Sequence, residues 1–252
     1  MLNKNKIYKY SNKNLDFNSI YVFDTIDSTN TYCKTLIQST PSDYMLVVSN
    51  HQTAGRGRLG RSFYSPKESG IYLSFAYKCN DIESSIAITT KASIAVYNAI
   101  KKFSDKNIFI KWVNDLYIDD KKFCGILTEA TTSIIDNNHY IIIGIGINCN
   151  TSIFPSELET IATSLDINIS RNDLISNIIN ELIYYIENPN DNSYLIPYKE
   201  RSYVLGKEIY YFINDEKHIG TVTNINDQCE LIIDGKTILR NGDISIRLNK
   251  NW

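Results

Sequence analysis

Gly55-Arg56-Gly57-Arg58-Leu59-Gly60-Arg61 places three glycines and three arginines within seven residues. Neither a helix nor a strand suits this composition. Glycine loses more conformational freedom on ordering than any other residue, and neighbouring guanidinium groups repel one another unless an anion lies close by. The apolar run Tyr44-Met45-Leu46-Val47-Val48 precedes the stretch, and the alternating run Ile71-Tyr72-Leu73-Ser74-Phe75-Ala76-Tyr77 follows it. It therefore reads as a mobile cationic loop between two strands, suited to folding over a carboxylate, a phosphate or both.

Upstream, Ile20-Tyr21-Val22-Phe23 is a strand. Asp24-Thr25-Ile26-Asp27-Ser28-Thr29-Asn30 then precedes a helical pattern with Tyr32, Leu36 and Ile37 on one face. Asp27 or Ser28 can cap that helix. The same hydroxyls and amides can also bind a small ligand at the helix start, and the two readings are compatible. Gln52 offers both a donor and an acceptor just before the loop.

Downstream, Ser65 to Gly70 is a turn, and Ser85 to Phe103 is a helix with Ile86, Thr90, Ile94, Tyr97 and Ile100 at three- and four-residue steps. A meander follows: a strand over 108–112, a break at Val113-Asn114-Asp115, and strands over 116–118 and 122–129. Tyr140 to Asn148 is nearly all apolar and reads as a central strand. Gly144 and Gly146 within it admit the close approach of a ligand or another backbone. Residues 150–168 are irregular. Ser170 and Asp173 resemble a capping box ahead of a helix striped with Leu174, Ile178, Leu182 and Tyr185. Residues 193–204 read as a short helix or link broken at Pro197. From Gly206 onward, short β-rich runs alternate with turns such as Asp234-Gly235 and Asn241-Gly242, which predicts a small, separate β-barrel.

The chain has 252 residues, 43% hydrophobic and 21% charged, enough for a large core. A net charge of −2 argues against a dedicated nucleic-acid binder. Five scattered cysteines without a Cys-x-x-Cys pair, and three histidines without metal spacing, read as reduced thiols and ordinary loop or strand-end residues. The polar Met1–Asp16 stretch lacks the apolar segment of a signal peptide, and no run approaches the ~20 apolar residues of a membrane helix. A cytoplasmic location is the expectation, with no membrane association.

Five segments in order resemble the biotin–protein ligase family: Asp27-Ser28-Thr29-Asn30; Gln52 with the Gly55–Arg61 loop; Lys111-Trp112-Val113-Asn114-Asp115; Lys122-Phe123-Cys124-Gly125-Ile126-Leu127; and Gly144-Ile145-Gly146-Ile147-Asn148. The resemblance is strong from Ile20 to Asn148 and weak through Gly242-Asp243-Ile244-Ser245-Ile246-Arg247. It implies an α+β fold: a mixed β-sheet flanked by helices, of the class II synthetase type, over residues 1–203. A small Src-homology-3-like β-barrel over 204–252 would follow. The first 26 residues are too few for a helix-turn-helix domain, so a short form without DNA binding is expected.

The implied reaction has two steps. Biotin and ATP, with Mg²⁺, give biotinyl-5′-AMP and pyrophosphate. A lysine of a biotin carboxyl carrier protein then takes the biotin and releases AMP. By this resemblance Ser28, Thr29, Asn30, Gln52, Gly55, Arg56, Gly57, Arg58, Lys122 and Gly125 hold biotin. Arg58, Arg61, Phe63, Asn114, Lys122, Asn148 and Arg247 hold ATP or the adenylate. Arg56, Arg58, Lys111, Asp115 and Lys122 are the catalytic group. Cations here offset the repulsion between a carboxylate and a triphosphate, and Asp115 orients or deprotonates the acceptor lysine. Mg²⁺ needs no dedicated cage where phosphates supply its oxygens, with Asn148 as an available ligand.

Two positions depart from the family pattern: Val113 stands where proline is usual and Phe63 where tryptophan is usual. A homodimer is compatible with the family. Two rivals stay open: a lipoate–protein ligase, which the Gly-Arg-Gly-Arg loop disfavours, and a biotin-responsive binding protein, which intact Lys122 and Asp115 disfavour.

Overall fold

Runs of β-branched and aromatic residues build the larger sheet. In the computed structural model, which describes residues 1–80, 85–213, 216–240 and 247–248, its seven strands are β1 (Ile20–Phe23), β2 (Tyr44–Ser49), β3 (Gly70–Cys79), β4 (Phe109–Lys111), β5 (Asp115–Ile118), β6 (Lys121–Thr132) and β7 (His139–Asn148). Their spatial order is β1-β2-β3-β7-β6-β5-β4. Only β1 and β2 pair in parallel, so the sheet is mixed. β7 is its central strand, as its unbroken apolar run predicts.

Among the described residues there are five α-helices: α1 (Lys4–Tyr10), α2 (Thr29–Ile37), α3 (Ser85–Lys101), α4 (Arg171–Glu187) and α5 (Leu195–Glu200). α3 and α4 pack on one another and cover one face of the sheet. α2 covers part of the other, setting Cys33, Leu36 and Ile37 against Met45, Val47, Ala76, Tyr140 and Ile142. With both faces covered, β3 is buried from Gly70 to Tyr77 and not only on alternate residues.

Two local expectations change, and a third stretch takes up structure for which none was stated. The polar N-terminal stretch forms α1: the Asn3 side chain caps it by accepting from Lys6 N, and Ile7 is fully buried. Polar groups of α4 receive it, with Ser176 Oγ donating to Ile7 O (2.8 Å) and Asn172 Oδ1 accepting from Asn3 N (2.8 Å). The capping box at the start of α4 does not form, because Ser170 makes no side-chain cap bond. Pro197 does not break its segment but sits in the first turn of α5, where a missing N–H costs no helical bond.

The second sheet holds β8 (Glu208–Ile213), β9 (Glu216–Ile225), β10 (Leu231–Ile233), β11 (Thr237–Leu239) and β12 (Arg247–Leu248), all antiparallel in the order β11-β10-β9-β8-β12. This arrangement is compatible with a Src-homology-3-like domain. Asp234 (φ 50°) and Gly235 (φ 70°) make the turn expected of them. The Asn241-Gly242 turn lies outside the described residues. The sheet is less separate than its composition suggests. Ile209, Val222, Ile225, Leu231 and Ile233 join the buried cluster of the larger sheet, and Trp112 Nε1 donates to Cys229 O at 2.7 Å.

All five cysteines are free thiols. No helix among the described residues is long and apolar enough to cross a membrane. Since Ile7 is the apolar anchor of α1, Ile7→Ala should cost about 2–5 kcal/mol of stability. A urea midpoint that does not fall would show that α1 contributes nothing to the fold.

Candidate active site

The sheet face under α2 lacks side chains at three neighbouring places. Antiparallel partners share a face, so Gly125 and Gly146, directly paired, and Gly144, paired with Leu127 and Ser74, form one bare floor. The floor is overlaid by the protein's own side chains and not only open to a ligand. A Cβ at Gly144 would run into Asn30 Oδ1, and one at Gly146 would lie 2.5 Å from Phe63 Cε1. One at Gly125 would lie 2.9 Å from Lys122 Nζ.

One end of the cleft is a hydrogen-bonded chain of uncharged groups at the start of α2. Ser28 is the N-cap and accepts from Thr31 N at 3.5 Å. Thr29 donates to Gln52 Oε1 through its backbone N–H (2.9 Å) and its hydroxyl (3.1 Å). That orients the Gln52 amide, so its Nε2 donates to Ser65 Oγ at 3.0 Å, and Ser65 donates to Phe63 O at 3.0 Å. The Ser74 hydroxyl lies 2.7 Å from Thr29 Oγ1 and hydrogen-bonds Asn30 Oδ1. Asn30 Nδ2 donates to Glu129 Oε2 at 2.9 Å. Burial pushes the Glu129 carboxyl upward, but Asn30, Lys34 and Arg56 together outweigh burial and hold it below the usual carboxylate range.

The cationic loop is a narrow hairpin. Arg56 bridges to Ser62, Gly57 N donates to Arg61 O (2.7 Å), and Phe63 N donates to Gly55 O (2.9 Å). A Cβ at Gly55 would lie 2.5 Å from Phe63 O, so only glycine allows the two arms this close. At the tip, Leu59 (φ 54°) and Gly60 (φ 71°) are left-handed.

The other end of the cleft is charged. Arg58 donates to Asn114 Oδ1 at 2.8 Å, and Asn114 is clamped on β6 through Nδ2 to Ile126 O (2.9 Å) and Ile126 N to its own carbonyl (3.0 Å). The Trp112–Val113 peptide before this bend is cis. Lys122 Nζ pairs with Asp115 Oδ1 at 2.7 Å. Strict alternation along β6 would put Lys122 on the face opposite Gly125. A register shift, with Leu116 opposite Cys124 but Tyr117 opposite Lys122, inserts one residue and returns Lys122 to the cleft.

Ser28, Thr29, Asn30, Gln52, Arg56, Gly57, Arg58, Phe63, Asn114, Lys122 and Gly125 thus line one cleft. Gly55 shapes the loop, and Asp115 reaches the cleft through its ion pair. The Phe63 ring lies over Gly146, and the cleft encloses about 40 Å³. Three expected residues lie apart from the cleft lining. Arg61 is exposed on the outer arm of the hairpin. Lys111 sits 5.5 Å from the Tyr117 ring centre. Asn148, at the end of β7, donates to Thr163 O (3.3 Å) and leaves a buried Oδ1 without a partner. The side chain of Arg247 lies outside the described residues.

The sequence reading missed Glu129, Lys34, Ser65 and Ser74. Ser74 carried a signal, as the one small hydroxyl residue in the alternating 71–77 run. Lys34 and Glu129 carried none, because their meeting depends on how α2 crosses the sheet.

The family model for the biotin/lipoate A/B protein ligase family matches residues 22–148. The bifunctional ligase/repressor BirA of Escherichia coli (strain K12) is 29% identical over 245 residues, covering 92% of this chain and 75% of that protein. The biotin–[acetyl-CoA-carboxylase] ligase of Mycobacterium tuberculosis is 28% identical over 211 residues, covering 78% of this chain and 76% of that one. Among solved structures, the biotin protein ligase from Aquifex aeolicus in complex with biotin and ATP superposes with a TM-score of 0.75 at 24% identity, covering 91% of this chain and 98% of that one. At that identity the likeness shows the fold.

If Asn30 is seated by the bare floor, Gly144→Ala should cost about 1–3 kcal/mol through forced repacking. Asn30→Gly should remove most of that cost, since contacting residues are not additive. Urea denaturation of the two single variants and the double variant tests this; an equal cost of Gly144→Ala in both backgrounds would contradict it.

Proposed function

The chain belongs to the biotin/lipoate A/B protein ligase family, and on that premise we propose that it is an ATP-dependent biotin–protein ligase. It activates biotin as biotinyl-5′-AMP and passes it to a lysine of a carboxylase's biotin carrier domain. The observation that carries this reading is a cleft with two chemistries. An end of oriented neutral donors and acceptors (Thr29, Asn30, Gln52, Ser74) faces an end with Arg58, Lys122 and Asp115. A cyclic urea satisfies such an end. An apolar dithiolane or alkyl chain offers no hydrogen bonds to such an end, which favours biotin over lipoate or octanoate.

In the first step a biotin carboxylate oxygen attacks the α-phosphorus of ATP, and the bond to pyrophosphate breaks. Arg56, Arg58 and Lys122 offset the repulsion between the two anions and stabilise the charge of the transition state. Lys122, held by Asp115 at 2.7 Å, turns to the reacting oxygens. Asp115 is thereby left to accept the proton of the acceptor lysine in the second step. That amine attacks the acyl carbon, the amide forms, and AMP leaves. No group of three or more metal-ligating side chains exists among the described residues. Mg²⁺ fits as an ion carried by the phosphates, with the buried, unpartnered Asn148 Oδ1 as a protein oxygen that would join them. There it would screen the phosphate charge.

In this reading residues 1–203 form the catalytic unit and 204–252 a small second unit. Five free thiols suit a reducing cytoplasm.

Biotin should drive ATP–pyrophosphate exchange, and Lys122→Ala should lower that exchange about 10²–10³-fold, the range for losing one preorganised charge at a transition state. Exchange that depends on lipoate or octanoate, or that is normal in Lys122→Ala, would overturn the assignment. Arg58→Gly should speed adenylate dissociation about tenfold or more, the equivalent of one charged hydrogen bond, while leaving the urea midpoint nearly unchanged. Retention as tight as in the parent chain would remove Arg58 from the role of clamp.

A further inference from the structure

Glu129 plays no part in the chemistry above, yet it holds two residues that line the cleft, Asn30 and Arg56. It lies on β6 opposite Ile142, one rung beyond the bare glycine floor and on the same face. Its side chain is 18% exposed and meets three groups from two separate elements. Oε2 accepts from Asn30 Nδ2 at 2.9 Å. Oε1 takes the Lys34 ammonium at 2.7 Å, and Arg56 of the cationic loop approaches that same oxygen at 3.5 Å.

The two cations do not share Oε1 equally. Lys34 holds it at the distance of a charge-assisted hydrogen bond, whereas Arg56 stands well outside that range. The loop is therefore tied at both ends of the cleft, firmly through Arg58 to Asn114 and loosely through Arg56 to Glu129. When the loop lifts, Glu129 is not left as a bare anion, because Lys34 stays with it on the same side of the cleft. Asn30 likewise keeps its amide orientation, with Oδ1 toward Ser74 and Nδ2 toward Glu129.

We propose that Glu129 is a positioning residue for the biotin end of the site, fixing Asn30 and tethering the cationic loop through Arg56, and that Lys34 competes for it and keeps that tether weak. The loop part stands on geometry alone; the biotin part rests on the ligase reading. A salt bridge that served only to join α2 to β6 would have a different signature, because losing either partner would then loosen the structure in the same way. Competition predicts opposite effects. Removing Glu129 frees Arg56. Removing Lys34 leaves Arg56 the sole charged partner of Oε1 among those seen here and draws it in.

The test uses the full chain without ligand, in three forms: parent, Glu129→Gln and Lys34→Gln. Glutamine at 129 keeps an acceptor for Asn30 and removes only the charge. Limited trypsin digestion is followed by mass spectrometry at the bonds after Arg58 and Arg61. Cleavage should be several-fold faster in Glu129→Gln and several-fold slower in Lys34→Gln. The KM for biotin in pyrophosphate exchange should rise several-fold in Glu129→Gln, with kcat and the KM for ATP nearly unchanged. Loop cleavage that moves in the same direction in both variants, or in neither, would overturn the tether. A biotin KM that stays put in Glu129→Gln, or kcat falling with it, would overturn the positioning of the biotin end. Opposite cleavage shifts in a parent chain that shows no biotin-dependent exchange would leave the tether standing and reject the ligase reading instead.

Discussion

Asn30 lies flat on Gly144, and most of the site follows from that contact. The absence of a Cβ lets the first turn of α2 settle onto the sheet with its polar side chains facing the floor. Ser74 then hydrogen-bonds Asn30 and lies beside Thr29, and Thr29 orients Gln52. Gln52 passes the constraint through Ser65 to the carbonyl of Phe63, whose ring covers Gly146. One bare patch thus fixes both the uncharged end of the cleft and the root of the arginine loop. In such a largely buried network each group left unpaired costs about 1–3 kcal/mol, so the amides and hydroxyls have little freedom to reorient.

Charge is arranged with the same economy. Two carboxylates face the cleft region, and each has its own lysine: Asp115 with Lys122, Glu129 with Lys34. All four side chains are partly exposed, so these pairs add at most about 1 kcal/mol each to stability. Their importance is positional. The bulge in β6 brings Lys122 across Gly125 to Asp115, and an anionic ligand can draw it away with little loss. Arg58 meanwhile rests on Asn114, a neutral partner that a phosphate or carboxylate can outbid.

The sequence made the larger sheet legible because its strands are long apolar runs bounded by turn residues, as with Tyr140 to Asn148 between Asp136-Asn137-Asn138 and the irregular 150–168. The cleft was legible where short ordered segments carry several unusual residues together, above all Gly55–Arg61. It was not legible where contacts arise from folding over long separations. Glu129 and Lys34 stand 95 residues apart, and no local pattern links them. α1 escaped notice because its single buried anchor, Ile7, sits among lysines and asparagines, too little for a periodic signal. Asn148 and Lys111 share the face of the glycine floor but stand at the end of β7 and on the edge strand β4, and Arg61 lies on the outer arm of the hairpin, so position along and across the sheet, which no local pattern records, keeps all three outside the cleft lining.

We expect the glycine floor and the arginine loop to enclose a biotinyl adenylate. The most direct test is to incubate the full chain with biotin, Mg²⁺ and ATP labelled at the α-phosphate, separate protein from free nucleotide, and identify the retained molecule by mass spectrometry. One biotinyl-5′-AMP per site is the expected result, discharged as AMP when a carrier domain with its acceptor lysine is added. Retention of unreacted ATP alone, or of an adenylate formed only from lipoate, would contradict it.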